Sequence, residues 1–139
     1  MTFLDRWQGS LLSILRIVTA LLFVEHGSSK LLGFPHIDMP MAITVGSLPW
    51  IAGVFELFGG LLLLFGLFTR PVAFILSGEM AVAYWMAHAP KSTFPAANGG
   101  DAAILFCFVF LYFAAAGPGP WAISAKRGAV ATEDPVERV

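Results

Sequence analysis

Leu-Arg-Ile-Val-Thr-Ala-Leu-Leu-Phe-Val-Glu-His-Gly-Ser-Ser-Lys-Leu-Leu-Gly, residues Leu15–Gly33, is apolar enough to enter a lipid bilayer, yet it carries Arg16, Glu25, His26 and Lys30. A charged side chain inside a membrane span costs a few kcal/mol unless it faces protein or water. This segment therefore needs partners, and they must lie on the other apolar segments.

The 139 residues are 58% hydrophobic and 12% charged, with 13 Phe and a mean hydropathy of +0.79. Soluble domains carry about twice that share of charge. The chain has too little polar surface to coat a globule of its size, so composition points to a polytopic membrane protein. A net charge of −1 leaves no footprint for nucleic acid. The single cysteine, Cys107, excludes an intramolecular disulfide and a CxxC redox motif. The first apolar run continues past the length of a signal-peptide core and lacks an A-x-A site, which predicts an uncleaved first span.

Four apolar stretches follow one another, at about 10–32, 48–68, 71–88 and 101–116. Gly33, Pro35, Pro40 and Pro49 break the first connector, in which Met39–Val45 is apolar but too short to span. Thr69-Arg70-Pro71 suggests a tight turn, and Pro71 suits the first turn of the next helix. Pro90, Pro95, Asn98, Gly99 and Gly100 mark a loop, after which Asp101 opens the last span, where the macrodipole favours a carboxylate. Gly117-Pro118-Gly119-Pro120 closes it. The predicted fold class is all-α: an integral membrane antiparallel four-helix bundle forming one domain over 1–125, with a cytoplasmic tail at 126–139. Arg6, Arg70, Lys126, Arg127 and Arg138 fall on the side of the termini, and Lys30 and Lys91 on the other. The positive-inside rule then places both termini in the cytoplasm.

Depth follows from a rise of 1.5 Å per residue. Arg16 lies roughly 9 Å above the start of the first span and Glu79 roughly 12 Å above the start of the third, so Arg16–Glu79 is an expected buried ion pair. His26 and Glu56 both lie about 9–12 Å below the outer ends of their spans. Lys30 is nearer the surface and reaches either Glu56 or Asp101. Arg16, Thr19, Phe23, His26 and Lys30 share one helical stripe, from which Glu25 departs. Glu25, His26, Lys30, Glu56, His88, Asn98 and Asp101 gather in the extracytoplasmic half. They predict an outward-facing polar pocket with Arg16–Glu79 as its floor. Plainer roles compete: a structural staple for the ion pair, and ordinary water-facing helix ends for Lys30, His88 and Asp101. Two histidines alone do not make a haem site, and the carboxylates and histidines lack a diagnostic metal spacing. No metal is assigned, and no catalytic residue is identifiable.

The pieces Leu15-Arg16, His26-Gly27-Ser28-Ser29-Lys30-Leu31-Leu32-Gly33-Phe34, Glu56-Leu57-Phe58-Gly59-Gly60, Thr69-Arg70, Glu79-Met80-Ala81-Val82-Ala83 and Gly117-Pro118-Gly119, in this order, resemble the DoxX family of small four-helix bacterial membrane proteins. The resemblance covers about Leu12–Trp121. It implies a four-span protein of the bacterial inner membrane and a link to redox biology, the family being named for a subunit of a thiosulfate:quinone oxidoreductase. Its recurring arginine, lysine and second-span glutamate match Arg16, Lys30 and Glu56. The Ser28-Ser29 pair and the sequence after Gly119 depart from the family pattern.

With this resemblance, the leading expectation is a subunit or accessory of a quinone-linked redox system, working with a partner subunit or as a homo-oligomer. Its pocket would take a quinone headgroup or a small anion such as a sulfur oxyanion. His26 and Lys30 would supply positive charge, and Glu56 or Glu79 would accept protons. The alternatives are a binding or transport protein without chemistry, and an organiser that recruits soluble redox enzymes to the membrane.

Overall fold

The computed structural model describes residues 2–37 and 43–125. The tail at 126–139 and most of Met39–Val45 lie outside the described residues, as do Pro40, Lys126, Arg127 and Arg138. Every described element is helical. A 3-10 segment, Thr2–Trp7, leads into α1, Gln8–Leu32. The second helix, α2, is Leu48–Phe65, with a π-helical turn at Phe55–Gly59 inside it. Next comes α3, Thr69–Ala83, which continues as a π-helical turn, Tyr84–His88. A short α4, Pro95–Asn98, precedes α5, Asp101–Ala116.

Two boundaries differ from the sequence expectation. Helix α2 stops at Phe65, and α3 begins at Thr69 instead of Pro71. The chain reverses over Gly66–Phe68, where Gly66 has φ 68° and Phe68 φ 48°. Glycine adopts the left-handed region without a Cβ penalty, so the reversal occurs before Thr69-Arg70-Pro71, and those residues form the first turn of α3 instead.

The helices pair through close contacts of α1 with α2 and of α3 with α5. Neighbours run in opposite directions: Arg16 meets Leu63 while Lys30 meets Glu56, and Arg70 meets Ala114 while His88 meets Asn98. The core joins them through Ala20, Phe23, Leu63, Leu76, Phe110 and Phe113. Phe23 and Phe110 meet edge to face at 4.7 Å between ring centres, the geometry that aromatic quadrupoles favour. Between α3 and α5, the Ser77 hydroxyl donates to the Cys107 carbonyl at 2.8 Å. Cys107 itself is a half-buried packing residue.

Phe3–Leu32 and Leu48–Phe65 are long and apolar enough to cross a membrane, and only 28% of an 18-residue apolar stretch in each is buried inside the protein. A soluble core helix would hide most of its apolar surface. Here Leu15, Val18, Leu22, Phe58, Phe74 and Phe108 all point outward. Outward apolar faces of this extent belong against lipid.

Candidate functional site

Gly27 sets the geometry of the site. A Cβ added there would lie 2.7 Å from the Cα of Leu57, so only glycine lets α1 touch the α2 backbone at this level. The contact brings Lys30, one turn above Gly27, against Glu56, the neighbour of Leu57. Lys30 Nζ donates to Glu56 Oε1 at 2.5 Å. Glu56 is 3% exposed, and its other oxygen, Oε2, is buried with no hydrogen-bond partner among the described residues. Glu56 sits in the π-helical turn of α2, and His88 in that of α3. Such turns add a residue to the helix and re-aim side chains, and they are frequent at functional sites.

Lys30 lines two cavities, and Glu56 lines one of them. The smaller, about 250 Å³, is lined by His26, Lys30, Glu56, His88, Met80 and Phe106 among others. His88 Nδ1 donates to the Asn98 carbonyl at 3.1 Å, which leaves Nε2 as the ring's second nitrogen. Asn98 is pinned in turn, with Nδ2 donating to the Ser92 carbonyl and Oδ1 accepting from the Gly100 N–H. The larger cavity, about 530 Å³, is an apolar groove between α2 and α3, lined by Ile51, Phe55, Ile75, Val82 and Met86, with Lys30 and Glu79 as its charged residues. Glu79 Oε2 is also buried without a partner among the described residues.

Four of the pocket residues read from the sequence, His26, Lys30, Glu56 and His88, therefore line one cavity. Glu25 and Asp101 do not join them. Both are exposed, Asp101 as the first residue of α5. Lys30 takes Glu56, not Asp101, as its partner.

The Arg16–Glu79 pair is not formed. Arg16, fully buried, donates Nε to the Pro118 carbonyl at 2.8 Å, Nη1 to the Leu63 and Leu64 carbonyls, and Nη2 to Trp121 O at 3.3 Å. Depth matching considered only charged partners. Carbonyls near the end of α2 and in the segment after α5 are available as acceptors, and a guanidinium with five N–H groups bonds to them together. The earlier start of α3 also carries Glu79 further along the bundle, toward Lys30. Sequence reasoning gave Glu79 the wrong partner for that reason. It missed Phe106 and Met80 as cavity walls because apolar lining residues carry no signal apart from hydropathy. Among the described residues, no group of three or more His, Cys, Asp or Glu is arranged to hold a metal ion.

The sequence profile of the DoxX family matches residues 11–89, which include Arg16, His26, Lys30, Glu56, Glu79 and His88. The chain belongs to the DoxX family. The matched DoxX region contains most of α1, all of α2 and α3, and the π-turn that bears His88. The chain is also similar to a Haemophilus influenzae protein described as uncharacterized, 43% identical over 132 residues, which cover 88% of this chain and 95% of that one. No solved structure matches.

Proposed function

We propose that this DoxX protein is a four-span protein of the bacterial inner membrane, with both termini cytoplasmic, that binds a lipophilic quinone as a subunit or accessory of a redox system. One observation carries the reading: an apolar groove of about 530 Å³ has Lys30 and Glu79 in its wall and shares Lys30 with a second, polar cavity holding Glu56, His26 and His88. An isoprenoid tail suits the groove, and a quinone head suits the charged residues. Reduction of a quinone to a quinol takes two electrons and two protons. The chain has no CxxC motif and one cysteine, so the electrons come from a partner subunit. Lys30, Glu56 and Glu79 supply hydrogen bonds and a route for protons, the customary task of ionisable residues inside membranes. The apolar lining equally supports the second reading, a binding protein that shelters a lipophilic molecule without chemistry.

The test is lipid extraction of the purified protein from native membranes, followed by titration with decylubiquinone. Bound quinone and a saturable rise in melting temperature, both weakened by Glu56→Gln, support quinone binding. Quinone-dependent electron transfer in membranes containing the partner, abolished by the same variant, separates the redox reading from simple binding. Absence of quinone and of any decylubiquinone-induced shift overturns both forms of the proposal.

A further inference from the structure

At the opposite end of the helices from Lys30, the reversal after α2 and the segment after α5 enclose a cavity of about 430 Å³, lined by Phe68, Thr69, Arg70, Pro71, Pro118 and Ser124 among others. Thr69 is 4% exposed, and its hydroxyl has no hydrogen-bond partner among the described residues. A buried hydroxyl left unpaired is costly. Thr69 and Arg70 also open α3, a helix of 15 residues whose N-cap, Phe68, makes no side-chain capping bond. The first N–H groups of a helix have no intrahelical acceptor, and they carry the positive end of its dipole. Arg70 gives Nη1 to the Ala114 and Ala115 carbonyls at the end of α5. Its Nε and Nη2 make no hydrogen bond among the described residues, which leaves one edge of the guanidinium fork open. Among the described residues, no carboxylate lines the cavity.

The geometry points to a binding site for a phosphate group, supplied by an anionic glycerophospholipid of the cytoplasmic leaflet. The open edge of Arg70 matches two phosphate oxygens. The Thr69 hydroxyl and the start of α3 add neutral donors. Phe68, 72% exposed beside them, offers an apolar surface to the glycerol and upper acyl region. The lipid source rests on the four-span reading, whereas the phosphate chemistry does not, since a free phosphate ion would use the same donors.

The experiment uses the full chain in phosphatidylcholine nanodiscs with and without phosphatidylglycerol, and in neutral detergent with and without millimolar inorganic phosphate. Native mass spectrometry reads lipid retention, and thermal unfolding reads stability. Wild type is expected to retain phosphatidylglycerol roughly tenfold better than Thr69→Val or Arg70→Gln, the difference one charge-assisted hydrogen bond makes. Arg70→Gln also removes a cap from α5, so Thr69→Val is the decisive variant. Without lipid or phosphate it should be at least as stable as wild type, because it removes an unpaired hydroxyl. A melting shift with inorganic phosphate, lost in Thr69→Val, without phosphatidylglycerol retention overturns the lipid assignment. Equal phosphatidylglycerol retention by wild type and folded Thr69→Val, with no phosphate shift, overturns the site. Neither result depends on quinone binding, so this site and the proposed function fail separately.

Discussion

Lys30 and Glu56 form a 2.5 Å ion pair in which the lysine side chain is 19% exposed and the glutamate 4%. The pair spans α1 and α2; Lys30 lines both cavities, and Glu56 lines the smaller. Removing one member leaves the other as an uncompensated buried charge, which costs about 3–5 kcal/mol. Replacing both with apolar residues of similar volume costs far less. Lys30→Met should therefore lower the melting temperature in detergent sharply, and Lys30→Met with Glu56→Leu should recover most of the loss. A double variant no more stable than Lys30→Met would show that the pair is not coupled.

Arg16 and Glu79 should behave independently. Arg16 serves four carbonyls at one end of the bundle, while Glu79 lines the groove that Lys30 also lines. Arg16→Leu removes the side-chain donor from all four carbonyls, of which Leu63 O keeps the Gly66 N–H, and Arg16→Lys cannot reproduce the fork. Both should destabilise the protein. The effects of Arg16→Leu and Glu79→Leu should add to within about 0.5 kcal/mol in thermal or denaturant unfolding, as expected for sites without a shared partner. A clear rescue of one by the other would restore the direct pairing.

The contrast between these residues shows what the sequence carried. The helical character of 8–32, 48–65 and 101–116 was legible because hydropathy alone sets it. The gathering of His26, Lys30, Glu56 and His88 was legible because each helix advances a fixed distance per residue. The partner of Arg16 was not. Its acceptors are backbone carbonyls, which every residue possesses, and their availability depends on where α2 ends and on the path of the chain after α5. Both π-helical turns were hidden as well, since no residue type marks an inserted residue. They rotate Glu56 and His88 in a way that a regular helical wheel does not represent.

Gly27 should tolerate no side chain. The Cβ of Gly27→Ala would press on the backbone of Leu57, which cannot turn aside as a flexible side chain would. Relief requires α1 and α2 to separate, at a cost of about 1–3 kcal/mol. The separation also pulls Lys30 from Glu56. Gly27→Ala should thus lower both the melting temperature and decylubiquinone binding. By contrast, Gly78→Ala, where an added Cβ meets nothing within 4 Å, should leave both unchanged. Equal behaviour of the two variants in a thermal-shift titration would remove the close approach from the account.

Glu79 separates a binding role from a structural one. It makes no ion pair among the described residues, and its buried Oε2 has no partner there. Glu79→Gln keeps the shape of the side chain and its capacity to hydrogen-bond, but it cannot exchange a proton. If Glu79 only fills space beside Lys30, Glu79→Gln and Glu79→Leu should both leave ligand affinity intact. If it carries protons to a bound quinone, Glu79→Gln should keep decylubiquinone affinity within a few-fold while slowing quinone-dependent electron transfer by about two orders of magnitude, the usual contribution of a positioned acid–base group. Glu79→Leu, which also removes the hydrogen bonds, should lose affinity as well. Titration and turnover measured on the same membranes distinguish these outcomes, and unchanged turnover in Glu79→Gln would assign proton delivery to the Lys30–Glu56 pair alone.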